Sequence, residues 1–260
     1  MRAPRFRFVR SSAAIAVVVV VLALSACGPS SPPPSSGSRP VSFTASGGVE
    51  LEGRIFEAEG ASAGIVLAHM QPADQSSWFE EAETLADEGY RTLTFNFRGY
   101  CPGGDAGCSG GETDLAMLWR DVQAAVRYLR STGIPRVAVV GASMGGTAAL
   151  VAAAQPGARI GAVATLSAPM AIGGLAVTPE TLVAATSAKL FVAGNGDVPA
   201  ADDAQRMYDL SVPPKRVEIV PSDDHGTELL EGNQGPNVRR LLTVWLAQFL
   251  PVQAPAEGGA

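Results

Sequence analysis

Residues 136–154 read RVAVVGASMGGTAALVAAA, an apolar run that a single serine, Ser143, interrupts. The run begins with a valine-rich segment typical of a buried strand and continues with an alanine-rich segment typical of a helix. Glycines stand two positions before and two positions after the serine. The pattern predicts a strand over 136–141, a sharp turn at Ser143 and a helix over 144–155.

The glycines beside Ser143 have a physical reason. An abrupt strand-to-helix turn strains its central residue, and neighbours without side chains let the strand and the helix pack closely. The hydroxyl is then exposed near a helix N-terminus, whose free N–H groups favour negative charge. A purely structural turn is the alternative. A second match to the same spacing, around Ser109, follows a glycine-rich loop, which favours a flexible loop there.

Strands alternate with helices on both sides of this run. Apolar runs predict strands at 63–69, 91–97, 159–168, 189–194 and 216–220, and amphipathic runs predict helices at 76–90, 112–133 and 237–250. A hairpin is predicted at Gly47–Gly48. The alternation predicts an α/β fold, with a mostly parallel, doubly wound sheet and helices on both faces. Residues 169–188 are too few for a large cap domain.

The composition fits one globular domain without a nucleic-acid partner. Of the 260 residues, 47% are hydrophobic, enough for a single large core. The net charge of −6 argues against a nucleic-acid interface, which needs clustered lysine and arginine. No cofactor is indicated and no metal site is predicted.

The first 40 residues indicate export. An arginine-rich start precedes a short apolar run that ends in LSAC, which resembles the lipobox of bacterial lipoproteins. We therefore expect a signal peptide at 1–26, a lipidated Cys27 and a Pro/Ser-rich tether at 27–40. Ordinary secretion and an uncleaved anchor helix are the alternatives. The folded domain is predicted at 41–250 and a disordered tail at 251–260, with the protein anchored by its lipid to the outer side of the cell membrane.

The G-x-S-x-G turn between strand and helix resembles the nucleophile elbow of the α/β-hydrolase superfamily, in particular its esterase and dienelactone hydrolase-like members. The resemblance implies a triad in the order serine, acid, histidine. Ser143 is the nucleophile, and His225 is the base because it is the histidine that follows Ser143. Asp197, in GNGDVP, matches the position of the acid. Asp202 and Asp203 are rival acids at a predicted helix start, where capping of that helix is the alternative. Asp223 and Asp224 are also considered, but they lie too close to His225 in sequence to be favoured.

The resemblance also implies an oxyanion hole made by two backbone N–H groups. One belongs to Met144, and the other to Gln71, with Met70 as the second choice. His69 matches the histidine of the family's oxyanion loop, where Met70 replaces the usual glycine, and we expect His69 to brace the loop.

The segment FRGY…GCSGG resembles the family's R-G-x-G-x-S-x-G loop with an insertion, CPGGDA, at 101–106. The insertion leaves Cys101 and Cys108 on either side of a tight loop. With one of the three cysteines lipidated, the other two can pair, and export makes a disulfide feasible. Two free thiols are the alternative.

The expected activity is hydrolysis of short- to medium-chain acyl esters or thioesters through an acyl-enzyme. The expected partners are a small acyl substrate and the membrane, through the lipid. A serine peptidase and a non-catalytic envelope binding protein are the alternatives.

Overall fold

The computed structural model describes residues 37–252. The predicted signal peptide, Cys27, most of the predicted tether and residues 253–260 lie outside this range. The first strand begins at Ser38, so the last residues of the predicted tether 27–40 belong to the fold. This strand pairs antiparallel with the next and forms one edge of the sheet, where Pro40 is tolerated because an edge strand leaves some N–H groups unpaired.

The central sheet has eight strands among the described residues, in the order β1-β2-β4-β3-β5-β6-β9-β10. The bounds of these strands are β1 Ser38–Thr44, β2 Glu50–Phe56, β3 Ala63–Ala68, β4 Arg91–Phe95, β5 Arg136–Ala142, β6 Ala162–Leu166, β9 Ala188–Gly194 and β10 Lys215–Val220. β2 pairs antiparallel with β1 and with β4, and all other pairs are parallel. The predicted mostly parallel α/β sheet is confirmed.

Helices cover both faces of the sheet, which is why its inner strands are continuous apolar runs. One face carries α2 (Leu118–Ser131), α3 (Met144–Ala153), α4 (Pro179–Ala184) and α5 (Val198–Leu210). The other face carries α1 (Phe79–Asp87), α6 (Glu228–Glu231) and α7 (Gly235–Phe249). Within the described residues, no helix is both long and apolar enough to cross a bilayer.

The segment between β6 and β9 is small, and no large cap is present. It consists of a two-stranded hairpin, β7 (Ala171–Ile172) and β8 (Leu175–Ala176), followed by α4. The hairpin turns at Gly173 and Gly174, both with positive φ, and its turn packs against Leu115 just before α2. The carboxyl end of β6 therefore carries only this small insertion.

Candidate active site

Ser143 occupies a strained turn at the centre of the sheet. Its φ of 47° and ψ of −120° lie in a region that residues other than glycine rarely adopt. The turn is held by a 2.8 Å hydrogen bond from the Ser143 amide to the carbonyl of Leu166, on β6. A Cβ at Gly141 would overlap the carbonyl of Gly145, and a Cβ at Gly145 would overlap that of Ala68. The glycines are thus required by the close approach of β5, α3 and β3.

The Ser143 side chain is available for chemistry. It is the N-cap residue of α3, but its hydroxyl makes no capping hydrogen bond to the helix. Its relative exposure of 8% leaves a small accessible surface. The amide of Met144, the first residue of α3, donates to no protein acceptor among residues 37–252. A free N–H next to a free hydroxyl, at a helix N-terminus, suits a developing negative charge.

His225 and Asp197 are in contact. The Nδ1 atom of His225 lies 2.6 Å from Oδ2 of Asp197, with the two side chains 40% and 16% exposed. Asp197 follows β9 and His225 follows β10, so both lie beyond the carboxyl ends of neighbouring parallel strands. A carboxylate on Nδ1 leaves Nε2 of the ring free to accept a proton.

The loops that carry these two residues are interlocked. The Asn195 amide donates to the carbonyl of Val220, and the Gly196 amide donates to that of Ser222. In return, the Ser222 amide donates to Oδ1 of Asn195 at 3.1 Å. Gly196 lies so close to the Asp223 carboxylate that any side chain at this position would collide with it. Asn195 and Gly196 therefore hold the loop that carries Asp197 against the loop that carries His225.

Two of the rival acids have other partners, and the other two, Asp202 and Asp223, are exposed. Asp203 accepts a hydrogen bond from the Met170 amide at 2.9 Å, and Asp224 accepts one from Oγ of Ser222 at 2.6 Å. Asp202 is exposed on α5. Within residues 37–252, Asp197 is the only carboxylate that bonds the His225 ring. Asp202 and Asp203 do not start a helix, as the sequence suggested, because α5 already begins at Val198.

The Ser143 hydroxyl and the His225 ring share no hydrogen bond among the described residues. Catalytic hydrogen bonds of this kind are often long without substrate and tighten when the reacting complex forms. Of the three predicted triad residues, His225 and Asp197 are therefore in direct contact, and the Ser143 hydroxyl is not hydrogen-bonded to either.

His69 is a buried, neutral histidine. Its Nδ1 donates to the carbonyl of Met70 at 2.8 Å, and its Nε2 accepts from the Phe97 amide at 3.1 Å. Burial lowers the pKa of His69 to about 4. Because both ring nitrogens are occupied, this side chain braces the loop after β3. The Gln71 amide, on the same loop, donates to no protein acceptor among the described residues.

A disulfide joins Cys101 to Cys108, and the loop it closes is tied to the fold by buried amides. The carbonyl of Ala106 accepts hydrogen bonds from Nε2 of Gln75 at 2.6 Å and from Nδ2 of Asn96 at 2.5 Å. Gln75 belongs to the segment that follows Gln71, so the insertion supports the loop after β3. Neither amide is predictable from the sequence, since single polar residues near strand ends give no pattern.

The second G-x-S-x-G match is structural. Ser109 is 3% exposed, and its hydroxyl donates to the carbonyl of Asn96 at 2.7 Å and accepts from the Glu52 amide at 2.9 Å.

Tyr100 is a further site residue that the sequence did not indicate, although it stands beside Cys101. Its hydroxyl lies 3.6 Å from Sδ of Met144, and its ring packs on His69. It thus connects the loop after β3 with the start of α3.

Comparison with protein families decides the relationship. A family model described as the alpha/beta hydrolase fold matches residues 65–218. The chain belongs to the α/β-hydrolase family. No curated protein matches this chain significantly in sequence.

Solved structures resemble this α/β hydrolase in fold. The Pyrococcus furiosus esterase Pf2001 superposes with a TM-score of 0.70 at 17% identity, over 82% of this chain and 93% of that one. A dienelactone hydrolase from Anabaena variabilis gives 0.68 at 23% identity, over 82% and 98%. The esterase domain of a Rhodothermus marinus protein gives 0.63 at 20% identity, over 82% and 99%. At these identities the similarity establishes the α/β-hydrolase fold.

Proposed function

We propose that the protein is a serine hydrolase that cleaves short- to medium-chain acyl esters through an acyl-enzyme. The observation that carries the proposal is the 2.6 Å contact between His225 and Asp197, at the same sheet edge as the strained, unbonded Ser143. A binding module has no need of an oriented imidazole, a carboxylate and a free hydroxyl together. The α/β-hydrolase fold supports hydrolysis in general terms.

In the proposed reaction, Nε2 of His225 takes the proton of the Ser143 hydroxyl as Oγ attacks the ester carbonyl. Asp197 holds the ring through Nδ1 and stabilises the imidazolium that forms. The developing oxyanion accepts hydrogen bonds from the amides of Met144 and Gln71. His225 then returns the proton to the leaving alcohol, and a water molecule hydrolyses the acyl-enzyme by the same steps.

Turnover of p-nitrophenyl acetate tests this function, with Ser143→Ala as the matched variant. We expect hydrolysis by the wild-type protein and a loss of about 10³-fold or more in kcat for Ser143→Ala, with an unchanged fold by circular dichroism. Hydrolysis that survives Ser143→Ala would refute the proposed nucleophile. No turnover by the folded wild type on esters or thioesters of any chain length would favour the binding protein.

A serine peptidase is the second candidate, since the same groups can cleave amides. The open sheet edge that follows from the small β6–β9 segment would admit a peptide. Matched ester and anilide substrates with one acyl group separate the two activities. A kcat/KM for anilides equal to that for esters would favour the peptidase, and a preference for esters supports the esterase.

We further propose that Cys27 is lipidated and anchors the enzyme to the outer side of the cell membrane. The support is the LSAC sequence after an arginine-rich start and a short apolar run. Cys27→Ser should release the protein from the membrane fraction or block its maturation. A wild-type protein whose mature N-terminus carries no lipid by mass spectrometry would contradict the anchor.

A further inference from the structure

The side chain of Met70 lies between the loop after β3 and the loop that carries His225. Its Sδ accepts a hydrogen bond from Oγ1 of Thr227, at 3.8 Å. Gly226 packs directly on the same sulfur, because a Cβ added at Gly226 would overlap it. Met70 therefore contacts the two residues that follow His225 in the chain.

Met70 is itself firmly held. Its carbonyl accepts the hydrogen bond from Nδ1 of His69, and the residue as a whole is only 8% exposed. It belongs to the apolar cluster that also includes Trp78 and Leu229, on the face covered by α1, α6 and α7. A methionine adapts its shape to an irregular gap, and close packing around it then fixes that shape.

Gly226 connects this contact to the nucleophile. Its φ of 59° is one that glycine adopts readily, and a Cβ built on it would lie 3.4 Å from Cβ of Ala142, the residue before Ser143. The backbone after His225 thus packs both against Met70 and against the strand that leads to Ser143. Because this packing is tight, the volume of the Met70 side chain limits the positions that the backbone after His225 can adopt.

We propose that Met70 is a positioning residue that sets the location of the His225 ring relative to Ser143. The inference rests on the proposed function and deepens it. A misplacement of about 1 Å in a reacting group can cost about 100-fold in rate, so a gap at this position has a measurable effect.

The test compares Met70→Ala with Met207→Ala. Met207 is also fully buried, but it lies on α5 on the opposite face of the sheet. We expect Met70→Ala to lower kcat on p-nitrophenyl acetate about 10- to 100-fold, with KM changed less than about threefold. The acidic limb of the pH profile of kcat/KM reports the base in the free enzyme. We expect this limb to shift in Met70→Ala and to stay unchanged in Met207→Ala. Met207→Ala should keep kcat within about twofold at a similar loss of Tm.

Two further variants separate packing from the sulfur contact. Met70→Leu and Thr227→Val each remove the bond between hydroxyl and thioether while conserving volume, and each should lower kcat about three- to tenfold. These variants decide the question if Met70→Ala fails to fold. A loss of kcat in Met70→Ala with unchanged kcat in these two variants would support positioning by the volume of Met70 alone. Unchanged kcat and an unchanged acidic limb in all three variants, or in these two when Met70→Ala does not fold, would overturn the inference.

The failure of this inference is distinguishable from the failure of the proposed function. An active wild-type enzyme in which Met70→Ala and Met207→Ala lose kcat equally, with no shift of the acidic limb, would overturn the positioning role alone. A wild-type protein that neither hydrolyses esters nor reacts with a fluorophosphonate would overturn the proposed function, and the positioning role with it.

Discussion

His225 and Asp197 lie 28 positions apart in the chain, yet Nδ1 of the first is 2.6 Å from Oδ2 of the second. The parallel pairing of β9 with β10 brings their loops side by side, and the hydrogen bonds of Asn195 and Gly196 hold the loops together. Sheet topology and loop geometry therefore produce this contact together.

The assignment of the acid can be tested by comparing Asp197→Asn with Asp203→Asn. An amide at position 197 favours the wrong tautomer of His225, so we expect kcat to fall about 10³- to 10⁴-fold. Asp203→Asn alters only the contact with the Met170 amide and should keep kcat within about tenfold. Steady-state kinetics on p-nitrophenyl acetate measures both. A larger loss in Asp203→Asn than in Asp197→Asn would mean that the acid is misassigned.

The small segment between β6 and β9 predicts a preference for short acyl chains. Each buried CH₂ is worth about 0.8 kcal/mol, but only where the protein offers a slot that buries it. We expect kcat/KM on p-nitrophenyl esters to be highest between acetate and hexanoate and to fall for palmitate. A value that rises steadily to palmitate would reveal an acyl channel and contradict the open site.

Removing the disulfide should destabilise the domain. The Cys101–Cys108 bond closes a short loop, with a sequence separation of 7, and chain entropy then gives about 2.5 kcal/mol of stability. The double variant Cys101→Ser/Cys108→Ser should lose that amount in urea unfolding, relative to the oxidised wild type. The reduced wild type is the matched control and should unfold at the same urea concentration as the variant. Equal midpoints for oxidised and reduced protein would exclude a stabilising bond.

His69 should make the folded state sensitive to acid. Its pKa is lowered by burial from 6.5 to about 4, so the unfolded chain binds a proton that the folded one does not. The stabilisation that comes from keeping His69 neutral is therefore fully present above pH 6.5. As the pH falls from 6.5 toward 4, the free energy of unfolding should decrease by about 3 kcal/mol in total. Urea unfolding at pH 7, 6, 5 and 4 should show a steeper loss for the wild type than for His69→Gln. Parallel curves for the two proteins would refute a neutral, buried His69.

Much of the fold could be predicted from the sequence, because it follows from local patterns. The valine-rich runs mark strands buried on both faces, and the glycines around Ser143 mark a close approach between backbones. The hairpin of β7 and β8 was missed, although Gly173–Gly174 between apolar residues is a hairpin signal. It was overlooked because each of its strands has only two residues.

The site was harder to predict where contacts join distant segments. Gln75 and Asn96 meet at one carbonyl of the disulfide loop, and Met70 meets Thr227 across the sheet edge. Such pairs have no fixed spacing in the chain, so only tertiary structure shows them. The start of α5 was predicted too late in the chain, near Asp202. The residue at its true N-terminus, Asp197, bonds the distant His225 and makes no capping hydrogen bond that would mark the start.

The central claim is that Ser143 forms the covalent acyl intermediate. Incubation with a fluorophosphonate, followed by intact mass and peptide mapping, tests it directly because the probe phosphonylates an activated serine. We predict one adduct per molecule, on the peptide that contains Ser143, and none in Ser143→Ala. His225→Ala should slow labelling strongly, because the hydroxyl loses its base. An adduct on any other residue, or no adduct on the folded wild-type protein, would contradict the account.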